Sequence, residues 1–588
     1  MTSRLFKVFL GFCLVTLGRA AELPQLLPAD IRLSVRLDAK THFRLRDYSS
    51  LDEWDERRQL LRKQILVAAG LDVLPSKQPL NVQRFGRQRH GNYIVEKVLF
   101  ESLPGYFVAG NLYLPVSGGK HPAVLVPHGH WKNGRIHNTS SYSVPALCAN
   151  LAAQGFVAFA YDMVGYNDTT QTKHIFGSTP SEMLWSFSPL GLQLWNSIRA
   201  LDLLESLTES DPTRLGVTGA SGGATQTILL AAVDDRIKAS APVDMVSANF
   251  QGDDACEIAP GLRDGTNNVE IASLMAPKPM LLVSATGDWT KHTPMVELPA
   301  VTSVYKLYGH PEAVSCAHIH SPHNYNEKSR VAVYAFFRRY LMEQPFGGVA
   351  YESEPVDLRP TDLLIGAQAS AFRKPVALFD LWKSEMRKLN SRLSLSQMRD
   401  RLAGLLGSGT AGNVTVVQTS PRMVLQRTGS GERVSVQLQD RPGNSAIAYV
   451  GGQVPLPQCD QPDTSQLAIE VFQSGSLHKG RSMDPAFLTY QRSDDSNRVR
   501  DILTSLAYLK QTGHDRITLD CTAHAAGWCM LAAAISSDPV SLKIDGDFHA
   551  ETDEELSRMV FVPGLQHAGG MDAVRALLSA NQQLALAH

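Results

Sequence analysis

From about residue 120 onward, short apolar runs alternate with longer stretches of helical periodicity. Ala123 to Pro127, Phe156 to Tyr161, Arg214 to Thr218, Ile237 to Pro242 and Pro279 to Ser284 read as short buried strands. Between and after them, Val144 to Gln154, Leu190 to Leu207, Ala224 to Ala232 and Glu327 to Leu341 read as helices. Ahead of this alternation, Ser50 to Leu71 predicts a helix, with Ser50 as its cap and Gly70 at its end. Tyr93 to Ser102 and Tyr106 to Pro115 predict a hairpin turning at Leu103-Pro104-Gly105. Strands alternating with helices imply an α/β class: a doubly wound, mostly parallel sheet with helices on both faces.

The second half repeats the plan. A helix at Leu393 to Leu406 precedes a hairpin-like pair, Arg422 to Thr428 and Glu432 to Gln439, joined through Gly429-Ser430-Gly431. Strands follow at Ala446 to Val450, Leu467 to Phe472 and Arg516 to Asp520, with helices at Asn497 to Leu509 and Ala525 to Ser536. Arg214 to Ser221 aligns with Arg516 to Ala523, so the second half is read as a degenerate copy of the first, the alternative being an unrelated α/β domain whose buried strands look alike. The expected division is a signal peptide at 1–21, a first domain at 22–346, a linker at 347–375 and a second, non-catalytic domain at 376–588.

The strand Arg214 to Thr218 runs into Gly219-Ala220-Ser221-Gly222-Gly223 and then into a helix. Strand, Gly-x-Ser-x-Gly, helix is the setting of a nucleophile elbow, a turn so tight that the neighbours of the serine must be small. The aligned position in the second half is Ala523, which has no hydroxyl with which to attack. A serine needs a base, and the base an orienting acid, in the order Ser, acid, His. Asp288 follows the strand Pro279 to Ser284 and is the assigned acid, with Asp244 in reserve. His318, His320 and His323 crowd the end of the last strand. His323 lies past Pro322, in a loop free to reach the serine, and is the assigned base, with His320 second. The oxyanion donors are the backbone N–H groups of Gly222 and of His130, in the loop His128-Gly129-His130-Trp131; His128 is read as structural. His318 and His320 share a face, but no further donor at ligand spacing accompanies them, so neither a metal nor a cofactor is expected.

Composition changes the picture in three ways. At 588 residues the chain is too long for one core, and 44% hydrophobic with 19% charged residues describes globular material. Lys plus Arg is 56 and Asp plus Glu is 57, so charge supplies no reason to expect nucleic acid or a membrane surface as partner. Arg4 and Lys7, the apolar stretch Val8 to Leu17 and the small residues near Ala20-Ala21 predict a signal peptide and a secreted or periplasmic protein. That compartment permits disulfides, and Cys256 with Cys316 is the expected pair; Cys148 and Cys529 are expected to be buried free thiols.

Gly219 to Gln226, Asp288-Trp289-Thr290 and His323-Asn324-Tyr325-Asn326 resemble secreted bacterial α/β-hydrolases of the acetyl xylan esterase-like kind. Dienelactone hydrolases and prolyl oligopeptidase catalytic domains are the broader kin. The resemblance covers roughly residues 50–341. It implies an α/β-hydrolase fold, the triad Ser221, Asp288 and His323, and hydrolysis of a carbohydrate ester, polymeric or small, through an acyl-enzyme. Glucuronoyl esterases carry an arginine just after the nucleophile, where this chain has Gly222 and Gly223, which disfavours their substrate. Methyl-ester hydrolysis on pectin and a prolyl-oligopeptidase-like peptidase are the alternatives. The peptidases usually carry a large propeller ahead of the hydrolase, and only about a hundred residues lie between the expected signal peptide and His128. Without a serine, the second half is expected to bind glycan or to support the enzyme.

Overall fold

The computed structural model describes residues 30–585, apart from 35–36, 345–350, 353–357, 367–371, 373, 408–412, 421, 452–455 and 475–480. The expected signal peptide lies outside the described residues. The first nine strands are β1 (Gln83–His90), β2 (Tyr93–Leu103), β3 (Tyr106–Pro115), β4 (His121–Pro127), β5 (Val157–Tyr161), β6 (Ser210–Ala220), β7 (Ile237–Val243), β8 (Met280–Gly287) and β9 (Val314–Pro322). They form one sheet in the order β1-β2-β3-β5-β4-β6-β7-β8-β9. β1, β2, β3 and β5 pair antiparallel, and every pair from β5 across to β9 is parallel. β4 and β5 are buried along nearly their whole length because helices cover both faces.

The predicted hairpin forms, with Gly105 at a φ of 73° in its turn. Ser50 caps the helix Leu51–Ala68 by accepting the N–H of Glu53, and that helix buries Trp54, Leu61 and Ile65. β1 was not legible in the sequence. It reads Gln-Arg-Phe-Gly-Arg-Gln-Arg-His and lacks the apolar alternation of a half-buried strand. It is a charged edge held by pairing rather than burial: Arg84 and Arg87 both reach the buried Glu96 of β2 at 2.5 Å.

The second sheet contains β10 (Val414–Gln418), β11 (Met423–Arg427), β12 (Arg433–Gln439), β13 (Ser445–Val450), β14 (Thr464–Glu470), β15 (Arg516–Thr522) and β16 (Ser541–Asp545). Its order, β10-β11-β12-β14-β13-β15-β16, matches β1 to β7 strand for strand. The senses match too: antiparallel as far as β12–β14, then parallel to β16. Among the described residues the copy stops there, so β8 and β9, which lead to Asp288 and His323, have no counterpart. The copied turn has also relaxed. Thr522 is extended, at φ −65° and ψ 158°, and Ala523–Ala525 forms a 3₁₀ turn instead of an elbow.

The cysteine expectations need correction. Cys521 and Cys529 form a disulfide with a Cα–Cα distance of 6.7 Å, while Cys256 and Cys316 are free. Cys521 is the penultimate residue of β15 and Cys529 lies in the helix that follows it, within bridging reach. Cys316, on β9, faces Ser284 Oγ at 3.5 Å, whereas Cys256 faces His130. Cys148 is buried and free, as expected.

Each sheet has its own core, but the two halves exchange parts. Met183 and Leu184, from the first half, are buried in the second core. Leu378, Trp382 and Met386, from the helix Leu378–Asn390, are buried in the first. Trp382 Nε1 donates to the Trp185 carbonyl at 3.0 Å, and Gly564 N donates to the Met183 carbonyl at 2.8 Å. Asp72 accepts from Arg401 at 2.6 Å and from His567 at 2.9 Å. Burial pushes the Asp72 carboxyl up, but these two partners outweigh it and hold the group well below the usual carboxylate range. Truncating a buried aromatic leaves a cavity costing about 3–5 kcal/mol. Trp382→Ala is therefore expected to lower unfolding stability by that amount in urea titrations, and a chain cut near residue 346, which loses all three core residues, to be less stable still.

Candidate active site

Ser221 stands at the carboxyl end of β6 and opens the helix Gly222–Val233. Its φ of 58° and ψ of −127° place it where an L side chain is strained, as an elbow requires. Its hydroxyl does not cap the helix, which keeps the oxygen away from the helical N–H groups. The flanking glycines are explained by close approach. A Cβ on Gly219 or on Gly223 would lie 2.3 Å from the Pro127 carbonyl oxygen. On Gly129 it would lie 2.6 Å from the Ala220 carbonyl oxygen, and on Gly222 it would lie 2.4 Å from His130 Cε1. The loop after β4 is thus pressed against the elbow, with His130 against Gly222. His128 holds the base of this loop: its ring bonds the Gly129 carbonyl at 2.8 Å through Nδ1 and accepts Met163 N–H at 3.0 Å through Nε2. Burial drives its pKa down to about 3, so it is neutral.

Asp288 follows β8 directly, and His323 follows β9. Adjacent parallel strands bring them together, and His323 Nδ1 lies 3.1 Å from Asp288 Oδ2. Trp289 N–H donates to Asp288 Oδ1 at 2.5 Å and Thr290 Oγ1 to Oδ2 at 3.2 Å, fixing the carboxylate. The reserve acid is present as well. Asp244, at the end of β7 with a φ of 54°, places Oδ2 3.8 Å from His323 Nδ1 and accepts the Asn324 N–H at 2.9 Å. Both carboxyl side chains are fully buried, while His323 keeps 27% of its side chain exposed. Burial, together with the charge of Asp288, pushes Asp244 up to about 7. Burial pushes His323 down, but the hydrogen bond and charge of Asp288, helped by Asp244, outweigh it and raise the imidazole above its ordinary value.

His318 and His320 alternate on β9 and point to its exposed face. They bond Ser284 Oγ at 2.8 Å and Thr286 Oγ1 at 3.2 Å, not either carboxylate. The aromatic frame of the site was missed. Trp131 lies parallel to His323, 2° between planes and 5.5 Å between centroids, and Trp289 approaches it at 4.5 Å. Trp131 in turn stacks on Tyr142 at 3.5 Å. The available signal was position: each tryptophan directly follows a candidate site residue, His130 or Asp288.

A family model for acetyl xylan esterase matches residues 85–252, from β1 through the elbow to the segment after β7. Over these residues the chain is similar to acetyl xylan esterases, and its sheet is that of an α/β-hydrolase. The match supports a carboxylic ester hydrolase. The esterase is 28% identical over 258 residues to "Putative hydrolase YtaP" of Bacillus subtilis (strain 168), covering 40% of this chain and 81% of that one. Among solved structures it is similar to "Methylesterase BT1017", at 28% identity and a TM-score of 0.49, over 58% of this chain and 78% of that one. It is also similar to a glucuronoyl esterase from Solibacter usitatus, at 15% identity and a TM-score of 0.38, over 49% and 94% of the two chains.

The glycine contacts give a stability test. A Cβ on Gly219 of the esterase meets backbone on two sides, Pro127 and Gly223, and neither is a flexible side-chain end. Gly219→Ala is expected to cost about 1–3 kcal/mol as an overpacking change. Gly118→Ala, with nothing within 4 Å of the added carbon, should stay within about 0.5 kcal/mol of wild type in the same urea titration.

Proposed function

We infer that the protein is a serine esterase of carbohydrate esters that works through an acyl-enzyme. The observation that carries this is a strained Ser221 at the elbow together with the bonded pair Asp288–His323 at the ends of neighbouring strands. Ser221 Oγ attacks the ester carbonyl, and His323 takes its proton through Nε2. Asp288 holds the Nδ1–H and so fixes the tautomer and stabilises the imidazolium. The N–H groups of Gly222 and His130 receive the oxyanion as the carbonyl becomes tetrahedral. His323 then protonates the leaving alcohol, and water, deprotonated by the same imidazole, releases the acid. The match to the acetyl xylan esterase model supports acetyl groups on xylan or a related polysaccharide as substrate. The basic start, apolar stretch and small residues of 1–21 support export.

Ser221→Ala should lower kcat by about 10⁴-fold or more on acetylated xylan, with His323→Ala close behind and the double variant hardly worse, because the residues act as a unit. Near wild-type acetate release by Ser221→Ala would refute the mechanism. A panel of acetylated xylan, acetylated pectin and methyl-esterified pectin, scored by acetate and methanol, tests the substrate; methanol without acetate would move the assignment to the acid side of the ester.

The pH dependence follows from His323. The base works only when neutral, and its pKa is raised, so kcat/KM should fall as pH drops through a midpoint above about 6.5. Asp288→Asn removes the strongest contribution holding that pKa up, so the midpoint should move to lower pH while kcat also falls. An acid limb that stays in place in Asp288→Asn would separate Asp288 from the base.

A further inference from the structure

Beside the elbow, three loops bring together side-chain groups that the serine mechanism does not use. His130 comes from the loop after β4, His174 from the segment after β5, and Cys256 from the segment after β7. All three follow the carboxyl ends of parallel strands. One ring nitrogen of each histidine and Cys256 Sγ lie within 4.8 Å of one another. His130 Nε2 is 3.0 Å from Cys256 Sγ, and the two imidazole rings meet edge to face, 5.5 Å between centroids.

The far side of each ring is already held. His130 Nδ1 lies 2.9 Å from Asp254 Oδ2, and His174 Nδ1 donates to the Val164 carbonyl at 2.7 Å. A carboxylate behind one histidine and a carbonyl behind the other are the outer partners that metal-ligating histidines carry, because they fix the tautomer with a lone pair facing the ion. With its Nδ1 proton committed, His174 presents Nε2 as that lone pair. The atom is buried and has no hydrogen-bond partner, a cost that a bound cation would remove. Cys256 is itself completely buried.

We propose that His130 Nε2, His174 Nε2 and Cys256 Sγ bind a divalent transition metal of the zinc class in the wall of the active site. Two imidazoles and a thiolate are the donor types that zinc selects over calcium or magnesium. Tetrahedral zinc sets its nitrogen and sulfur ligands about 3.3–3.6 Å apart, so the loops need move by only a fraction of their present spacing. The ion would staple the three loops and fix the residue whose ring packs on Gly222 and whose N–H the proposed mechanism assigns to the oxyanion. This site is independent of the ester substrate: it stands or falls on metal binding alone.

Cobalt(II) titration of the metal-stripped full chain is the test, because a thiolate ligand gives a near-ultraviolet charge-transfer band and tetrahedral geometry gives strong visible bands. Wild type should take up one equivalent with both signatures, zinc should displace it, and zinc should be found at one per chain by elemental analysis. Cys256→Ser should lose the thiolate band, and His174→Ala should bind at least about 100-fold more weakly. Asp254→Asn, which removes only an outer partner, should weaken binding about 10–100-fold. Circular dichroism identifies any variant that has not folded, and His174→Ala and Asp254→Asn then carry the test without Cys256→Ser. Wild type that binds no metal, or folded variants that bind with wild-type affinity and spectrum, would overturn the proposal.

Discussion

The Pro127 carbonyl oxygen lies 2.3 Å from where a Cβ would stand on Gly219 and on Gly223, and the rest of the site depends on that approach. It lets β4 and β6, which are paired in parallel, end at the same level, so that the loop after one can lie on the turn after the other. The loop brings Trp131 over His323 and His130 against Gly222. A methyl group at either glycine would push the loop away and dissolve this contact. The strain at Ser221 is held by the same packing, supported by its N–H bond to the Val243 carbonyl at 3.0 Å.

Two buried carboxyls beside one imidazole make the electrostatics of the site uneven. Like charges this close cannot both ionise cheaply, and Asp244 yields, its pKa pushed up to about 7 by burial and by Asp288. Asp288 accepts hydrogen bonds on both oxygens, from Trp289 and Thr290, whereas Asp244 Oδ1 has no hydrogen-bond partner, and Asp288 makes the shorter contact to His323. The imidazole therefore has one principal partner and a second acid behind it. The raised pKa of His323 is the sum of both, set against its own burial.

The second half keeps the sheet order and strand senses of β1 to β7, and among the described residues it has no counterpart of β8 and β9. The counterpart of the tight elbow is a 3₁₀ turn, with a disulfide from Cys521, which stands in place of Gly219. What the half has gained is contact. Trp382 completes the first core, and Met183 and Leu184 complete the second, so each core contains side chains from the other side of the chain.

Local chemistry was legible in the sequence wherever it depends on neighbours along the chain. The alternation of buried strands and periodic helices announced the sheet, Gly219 to Gly223 announced the elbow, and the alignment that ends at Ala523 announced the repeated strand order. Asp288 and His323 were found because they follow strands, and parallel pairing of β8 with β9 then makes them neighbours. Edge strand β1 escaped because it is stabilised by pairing and by Glu96, not by an apolar face. The disulfide, the second acid at the imidazole and the cluster of His130, His174 and Cys256 join residues whose loops meet only once the sheet is built. Pattern along a chain reports which face of an element is buried; which loops converge at the end of a sheet is decided by strand order, and strand order is a property of the folded chain.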